Sequence, residues 1–307
     1  MPVCQGRRLY LVSVFFVLAG SAGAEPPTPL AKKVETEKKR DSLAERATLP
    51  RAVTPELKES KIAVRHLDQR ESGWDVAESD HFRVYHVGDP SLARTAAVAA
   101  ERARAAAWRK WFADDGPEWG QRGEILVFPT ARDYSNATGA PTRSPGHSEI
   151  RADGNRVVLR RIHLHADEPS MIEAVLPHEV THAVLAGQFG EQPVPRWADE
   201  GMAVLDEPRE RIDRHLRALT RQRDEGLLFS TRELIRLKDY PEPRRMWAFY
   251  AQSVSLVEFL TGSKDSRTLA RFVRDGLRDG YETSLRRYYG WSFEELDRRW
   301  RKHVFQE

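Results

Sequence analysis

Residues 176–187 read LPHEVTHAVLAG and place two histidines four residues apart, with a glutamate directly after the first. Positions four apart share a helix face, so a helix here would let His178 and His182 direct ring nitrogens at one ion. Aliphatic residues flank both histidines, and buried imidazoles need partners for their nitrogens. The stretch predicts a metal-binding helix, and the alternative is a core helix that happens to carry two histidines.

Glu179 follows the first histidine and points about 100° around the helix from it. This direction makes it a poor third ligand of the same ion. It suits a general base that accepts a proton from water activated by the metal. We therefore predict that Glu179 is catalytic.

A third ligand is available downstream, in PVPRWADEGMAVL at residues 193–205. Glu200 lies 18 residues beyond His182, and the glycines and prolines between them can reverse the chain. Asp199 is the alternative third ligand. The metzincin pattern is excluded, because it requires glycine and histidine where this chain has Leu185 and Gln188.

The segments LPHEVTHAVL, VPRWADEGMAVL and YAQSVSLVEFL together resemble the peptidase MA-like family of gluzincin metallopeptidases. The resemblance covers residues 74–300, and it is specific at the histidine segment and loose elsewhere. It implies a zincin-like fold, with His178, His182 and Glu200 as ligands of one Zn²⁺ ion and Glu179 as the catalytic base. Asp199 departs from the apolar or small residue expected before the glutamate.

The composition is that of an ordinary globular protein, with 40% hydrophobic and 31% charged residues. Cys4 is the only cysteine, so a metal site in the rest of the chain must use histidine and carboxylate ligands. Arg7 and Arg8 are the only charged residues among the first 24, so the net charge without that segment falls from +3 to +1. The chain has no basic run interleaved with aromatic residues, so nucleic-acid binding is not predicted.

The N-terminus has the pattern of a secretory signal peptide over residues 1–24: two arginines, an apolar run and a small-residue Ala-Gly-Ala site. The apolar run is too short for a stable membrane anchor, so we expect an exported protein, periplasmic or secreted. Residues 25–61 are rich in Pro, Lys, Glu and Thr and predict a disordered leader. One zincin-like domain is expected over 62–307, divided into an α/β part (62–187) and a helical part (188–307).

The predicted fold class is α+β, with a small mixed sheet, the His-Glu-x-x-His helix and a mostly helical C-terminal part. We expect strands at residues 82–85 and 124–130, a helix at 91–112, a short helix ending at Gly139, and two strands joined at Asp153-Gly154-Asn155. Ser170 and Glu173 predict a capping box opening a helix to Ala186, within which Pro177 should kink the helix or set its first turn. Further helices are predicted at 200–206, 207–225, 231–238, 245–261, 267–279, 282–289 and 293–304, the last with a capping box of Ser292 and Glu295.

Several other residues are weaker candidates. Tyr250 is a predicted oxyanion-stabilising hydroxyl, since gluzincins often use a tyrosine there, and the alternative is a core aromatic. Asp206 and Glu207 could orient a histidine, although solvated helix-end acids are the favoured interpretation. His147, His163 and His165 are expected to be surface or supporting residues and not ligands. GHSEIR at 146–151 is a candidate edge strand for an extended peptide.

The sequence thus predicts an exported zinc metallopeptidase acting on a peptide or protein substrate. The alternative from another class is a zincin-fold binding or assembly protein of the cell envelope that does not cleave peptides. The sequence fixes neither substrate specificity nor oligomeric state.

Overall fold

The computed structural model describes residues 62–307, except 69, 72, 115, 155, 190 and 191. The predicted signal peptide and leader lie outside the described residues. Six strands form one mixed sheet in the order β1-β2-β3-β4-β6-β5. Its strands are β1 (Arg65–His66), β2 (Asp75–Glu78), β3 (Phe82–His86), β4 (Gly123–Phe128), β5 (Gly146–Asp153) and β6 (Arg156–His165). The parallel pairs β3–β4 and β4–β6 form its centre, and β5 is an edge strand.

Ten α-helices accompany this sheet within the described residues. They are α1 (Pro90–Trp111), α2 (Ala131–Thr138), α3 (Leu176–Leu185), α4 (Arg196–Val204), α5 (Arg209–Asp224), α6 (Thr231–Arg236), α7 (Met246–Ser263), α8 (Ser266–Asp279), α9 (Tyr281–Tyr289) and α10 (Phe293–Phe305). The α+β class is as predicted, and the strands of the described part all precede α3. The predicted zincin-like fold stays a prediction.

Most predicted elements have the expected place and type. The strand β4, the hairpin of β5 and β6, and α2 with its left-handed Gly139 cap all agree with the sequence pattern. Ser292 caps α10 by accepting a hydrogen bond from the Glu295 N–H, as predicted, whereas the Glu295 side chain pairs with Arg299 instead of closing the box. The short strands β1 and β2 were not predicted.

The predicted capping box at Ser170 is wrong. Residues Met171–Val175 form a single π-helical stretch, and Ser170 makes no capping bond because its hydroxyl donates to Glu168 instead. The α-helix begins only at Leu176, with Pro177 in its first turn, where a missing N–H costs little. Pro177 therefore sets the start of the regular helix, one residue before His178.

A continuous core joins the sheet to the helices. Trp111 of α1, Trp197 of α4 and Trp300 of α10 are all fully buried in it. The part of the chain running Ala63–Glu307 belongs to one compact unit. Within the described residues, no helix is both long and apolar enough to cross a membrane.

The helix α4 lies unusually close to α7 at Gly201. A Cβ atom added there would lie 2.5 Å from Val257 Cγ2 and 2.7 Å from the Ser253 carbonyl oxygen, which is closer than real Cβ atoms approach. Glycine is therefore required by packing at this position and not by backbone conformation. The close approach fixes the helix that carries Glu200, the residue directly before Gly201.

Candidate metal centre

The helices α3 and α4 bring the three predicted ligands together. His178 Nε2 lies 3.1 Å from His182 Nε2, and Glu200 Oε2 lies 3.8 Å and 4.0 Å from these two atoms. All three side chains are buried, and they form the one group of three or more potential ligands close enough for a metal ion among the described residues. A buried His178, His182 and Glu200 group could hold a metal ion.

Both imidazoles are oriented by buried carboxylates. Glu207 Oε1 lies 2.8 Å from His178 Nδ1, and Asp199 Oδ1 lies 2.7 Å from His182 Nδ1. An ionised carboxylate accepts hydrogen bonds, so each pairing places the ring proton on Nδ1 and leaves Nε2 as a lone pair. Asp199 is thereby engaged at the far side of His182, and Glu200 is the carboxylate that faces both Nε2 atoms.

The arrangement favours a cation between the rings. Two Nε2 lone pairs that face each other at 3.1 Å repel unless a proton or a metal ion lies between them. Glu200 Oε2 is buried without a hydrogen-bond partner, which is costly for a carboxylate oxygen unless it has a ligand. The donor set therefore fits a divalent ion that prefers nitrogen and oxygen ligands, such as zinc.

Without a metal ion, the pKa values of the two histidines also favour one positive charge between the rings. Burial lowers the pKa of His182, but the charge and hydrogen bond of Asp199, with the charges of Glu200 and Glu179, outweigh burial and raise this pKa to about 9. Burial and the neighbouring His182 hold the pKa of His178 well below its usual value. One proton on His182 can thus take the place of the ion.

Glu179 lies in the same buried region, and its Oε2 atom has no hydrogen-bond partner. Burial raises the pKa of Glu179 to about 8, although the charge of His182 offsets part of the effect. A carboxyl group whose pKa lies near neutrality can both accept and release a proton. This environment matches the role of general base that the sequence predicts, and that role stays a prediction.

The favoured interpretation of Asp206 and Glu207 as solvated acids is wrong. Glu207 is only 7% exposed and binds His178, while its second oxygen pairs with Arg211 Nε at 3.1 Å. Asp206 accepts hydrogen bonds from Lys110 Nζ at 2.6 Å and from Thr181 Oγ1 at 2.8 Å. Both acids thus connect α3 to a second helix: Asp206 connects it to α1 through Lys110, and Glu207 connects it to α5 through Arg211.

Tyr250 lies on α7, buried beside the centre. Burial and then the charge of Glu200 hold the pKa of its hydroxyl well above 10. Its ring lies 6.4 Å from that of Tyr240, measured between centroids. The predicted catalytic role of Tyr250 remains a prediction.

Tyr240 is a residue of the site that the sequence did not reveal. Its hydroxyl donates a short hydrogen bond to Glu200 Oε1, and the Arg196 guanidinium lies 4.9 Å from its ring centroid. Tyr240 lies in an irregular segment between α6 and a 3₁₀ turn (Pro243–Arg245), where no periodicity predicts which side chain turns inward. Only the two following prolines, Pro241 and Pro243, mark the segment as a defined turn.

His147, His163 and His165 are buried and are not surface residues. His147 of β5 and His163 of β6 are buried, with rings stacked 4.5 Å apart at 9°. His147 Nδ1 lies 2.6 Å from the Tyr134 hydroxyl, and His165 Nε2 lies 3.1 Å from the Ser144 carbonyl oxygen. They form a supporting cluster between α2 and the sheet.

The sequence matches no protein-family model, and no curated protein matches it.

Proposed function

We propose that this chain is an exported zinc-dependent hydrolase of the gluzincin type, and that it hydrolyses peptide bonds. One observation carries the proposal: His178 Nε2, His182 Nε2 and Glu200 Oε2 converge within reach of one ion, in the same buried region as Glu179 Oε2, which has no hydrogen-bond partner. Four buried acids surround the two histidines: Glu179, Asp199, Glu200 and Glu207. Burying so many carboxyl groups is costly, and an ordinary core helix with two incidental histidines does not require it. Export rests on the signal-peptide pattern of residues 1–24.

A bound zinc ion supplies an electrophile that lowers the pKa of water towards neutrality and polarises a carbonyl group. His178, His182 and Glu200 would hold it, with Asp199 and Glu207 fixing the two rings. Three protein ligands leave a coordination position open, which is typical of catalytic zinc and not of structural zinc.

Glu179 accepts the proton from the attacking water and passes it to the amine that leaves. Burial raises the pKa of this carboxyl group, to about 8 in the absence of an ion, which favours uptake of the proton that it later releases. Tyr250 is the proposed donor to the oxyanion, because its hydroxyl stays protonated throughout the physiological range. The edge position of β5 provides unpaired backbone groups for an extended peptide, and Ser148 of this strand lies close enough to Glu179 to affect its pKa.

The first prediction tests this mechanism. Glu179→Gln should lower turnover of a cleavable peptide by about a thousand-fold or more, because the amide cannot accept the proton. Zinc content, measured by elemental analysis of the purified chain, should stay at one ion, since Glu179 is not a ligand. A substrate is first found by incubating the zinc-loaded chain with a peptide library, and undiminished cleavage by the variant would rule the mechanism out.

One observation favours the alternative, a zincin-fold binding or assembly protein that keeps the metal for structure. Glu179 and His178 are each only 1% exposed and Glu200 is 0% exposed, so a substrate must open a path to them. Stoichiometric zinc without cleavage of any library peptide, and with a large loss of stability on metal removal, would support this alternative over the peptidase.

A further inference from the structure

The two oxygens of Glu200 have different surroundings. Oε1 accepts the hydrogen bond from the Tyr240 hydroxyl, whereas Oε2 has no partner and faces the Nε2 atoms of His178 and His182. A free carboxylate can bind a metal through one oxygen or through both. We propose that Tyr240 is a positioning residue that confines Glu200 to ligation through Oε2 alone, an inference that rests on the proposed metal centre.

Tyr240 is itself held in place by the helix that carries Glu200. Arg196 begins α4, one helical turn before Glu200, and its guanidinium lies 4.9 Å from the centroid of the Tyr240 ring. The ring of Phe249 on α7 also meets it edge-on, with centroids 5.7 Å apart. The Tyr240 side chain is therefore held by contacts with α4 and α7, although it belongs to the irregular segment after α6.

The consequence concerns the number of ligand atoms. A second carboxylate oxygen on the ion would occupy the position that a catalytic zinc site keeps open for water or substrate. A donor on Oε1 disfavours this, because a charge-assisted hydrogen bond to a buried carboxylate oxygen is expensive to break and holds the carboxylate with Oε2 facing the two rings. Tyr240 thus keeps the centre at three protein ligand atoms, and it does so without touching the ion.

The second prediction tests this role with metal binding alone. Tyr240→Phe keeps the ring and its packing but removes the donor that orders the Glu200 carboxylate, so the dissociation constant for Zn²⁺ should rise about ten-fold or more even though Oε1 becomes available to the ion. It is measured by competition with a chromophoric chelator. In the Co²⁺-substituted variant the visible absorption should weaken, because Glu200 gains a second metal-binding oxygen and the ion gains a ligand.

The matched control is Tyr288→Phe. Tyr288 of α9 also donates to a carboxylate, with its hydroxyl 2.6 Å from Asp275 Oδ2, but that carboxylate is not part of the metal centre. This variant should bind Zn²⁺ with wild-type affinity and give the wild-type Co²⁺ spectrum. Thermal unfolding of both variants without metal reports whether each one folds.

Wild-type affinity and an unchanged Co²⁺ spectrum in Tyr240→Phe would overturn the proposal. If that variant does not fold, zinc X-ray absorption of the wild-type chain decides: ligation by one carboxylate oxygen supports the proposal, and ligation by two overturns it. The proposed function fails separately if the wild-type chain binds zinc and cleaves no peptide, whereas a wild-type chain that binds no zinc would overturn both proposals.

Discussion

Two acid–histidine pairs determine which nitrogens of the candidate metal centre face the position that an ion could occupy. Asp199 and Glu207 each accept the Nδ1 proton of one ligand histidine, at 2.7 Å and 2.8 Å between heavy atoms. They come from opposite ends of the α4 region, so the two rings are fixed independently. A ring without its acid can rotate or take the other tautomer, and Nε2 then no longer faces the ion.

The third prediction follows from these pairs. Asp199→Asn and Glu207→Gln keep the size of each side chain but remove its charge, so each should weaken Zn²⁺ binding by about 10- to 100-fold. Chelator competition measures both dissociation constants. Asp213→Asn, at an exposed acid of α5 paired with Arg209, is the control that should leave binding unchanged. Wild-type affinity in both test variants would show that the pairs do not orient the rings.

The site residues that could be predicted are those whose role follows from the residues next to them in the sequence. His178, Glu179 and His182 follow from helical spacing, and Glu200 follows from chain reversal before α4. Glu207 could be named only as the less favoured alternative, and Tyr240 could not be recognised at all, because nothing in their own neighbourhood distinguishes them from a helix-end acid and a loop aromatic. Their partners are chosen by the packing of α4 against α3 and α7, which is a tertiary property.

At the scale of elements, the contact between α4 and α7 determines where Glu200 lies. Gly201 allows the helices to approach until an added Cβ would clash with Val257 and with the Ser253 backbone. The backbone of α7 cannot yield at that point, so a side chain at 201 must move α4. The ligand next to it would move with the helix.

The fourth prediction concerns Gly201→Ala. The added methyl group should lower the free energy of unfolding by about 1–3 kcal/mol and also weaken Zn²⁺ binding, because α4 shifts outward. Denaturant unfolding without metal and chelator competition measure the two effects. Gly262→Ala in α7 is the control, since nothing lies within 4 Å of its added Cβ and alanine favours a helix by about 1 kcal/mol. Equal changes in the free energy of unfolding and in Zn²⁺ affinity for Gly201→Ala and Gly262→Ala would contradict the packing argument.

The sequence predicted the type of most elements, and its failures have physical causes. The strand β1 has two residues and β2 has four, which is too short for an alternating pattern to stand out. At Ser170, the residues for a capping box are present, but Glu168 captures the hydroxyl and the chain winds into a π-helical turn. Pro177 lies in the first turn of α3, which is one of the two positions that the sequence predicted for it.

At the scale of the whole molecule, a second group of buried histidines links stability to acid pH. Burial lowers the pKa of His147 to about 4 and that of His163 to about 3. The two rings stack on each other, Phe128 stacks on His163, and Tyr134 meets His147 edge-on. In the unfolded chain both pKa values return to about 6.5. Below pH 6.5 the unfolded chain binds more protons than the folded one, so stability is lost as the pH falls.

The fifth prediction uses His163→Phe to isolate this effect. The variant should lose less stability than the wild type when the pH falls from 6.5 to 4.5, by roughly 2 kcal/mol, because one buried imidazole is absent. Denaturant unfolding in the presence of a chelator measures the difference and removes any contribution from metal release. His303→Gln, at an exposed histidine, should follow the wild-type curve, and parallel curves for all three chains would contradict the prediction.

The two edges of the sheet bear on self-association. An edge strand offers unpaired N–H and C=O groups to any other strand, including that of a second copy, and this leads to aggregation unless it is limited. At one edge, β1 is only two residues long. At the other, β5 carries Glu149, Arg151 and Asp153 and an irregular register at Arg151/Ala152, while its first residues lie beside α3. The charged, irregular half discourages growth of the sheet by repeated strand addition, so an open edge near the candidate active site need not make the folded protein prone to fibre formation.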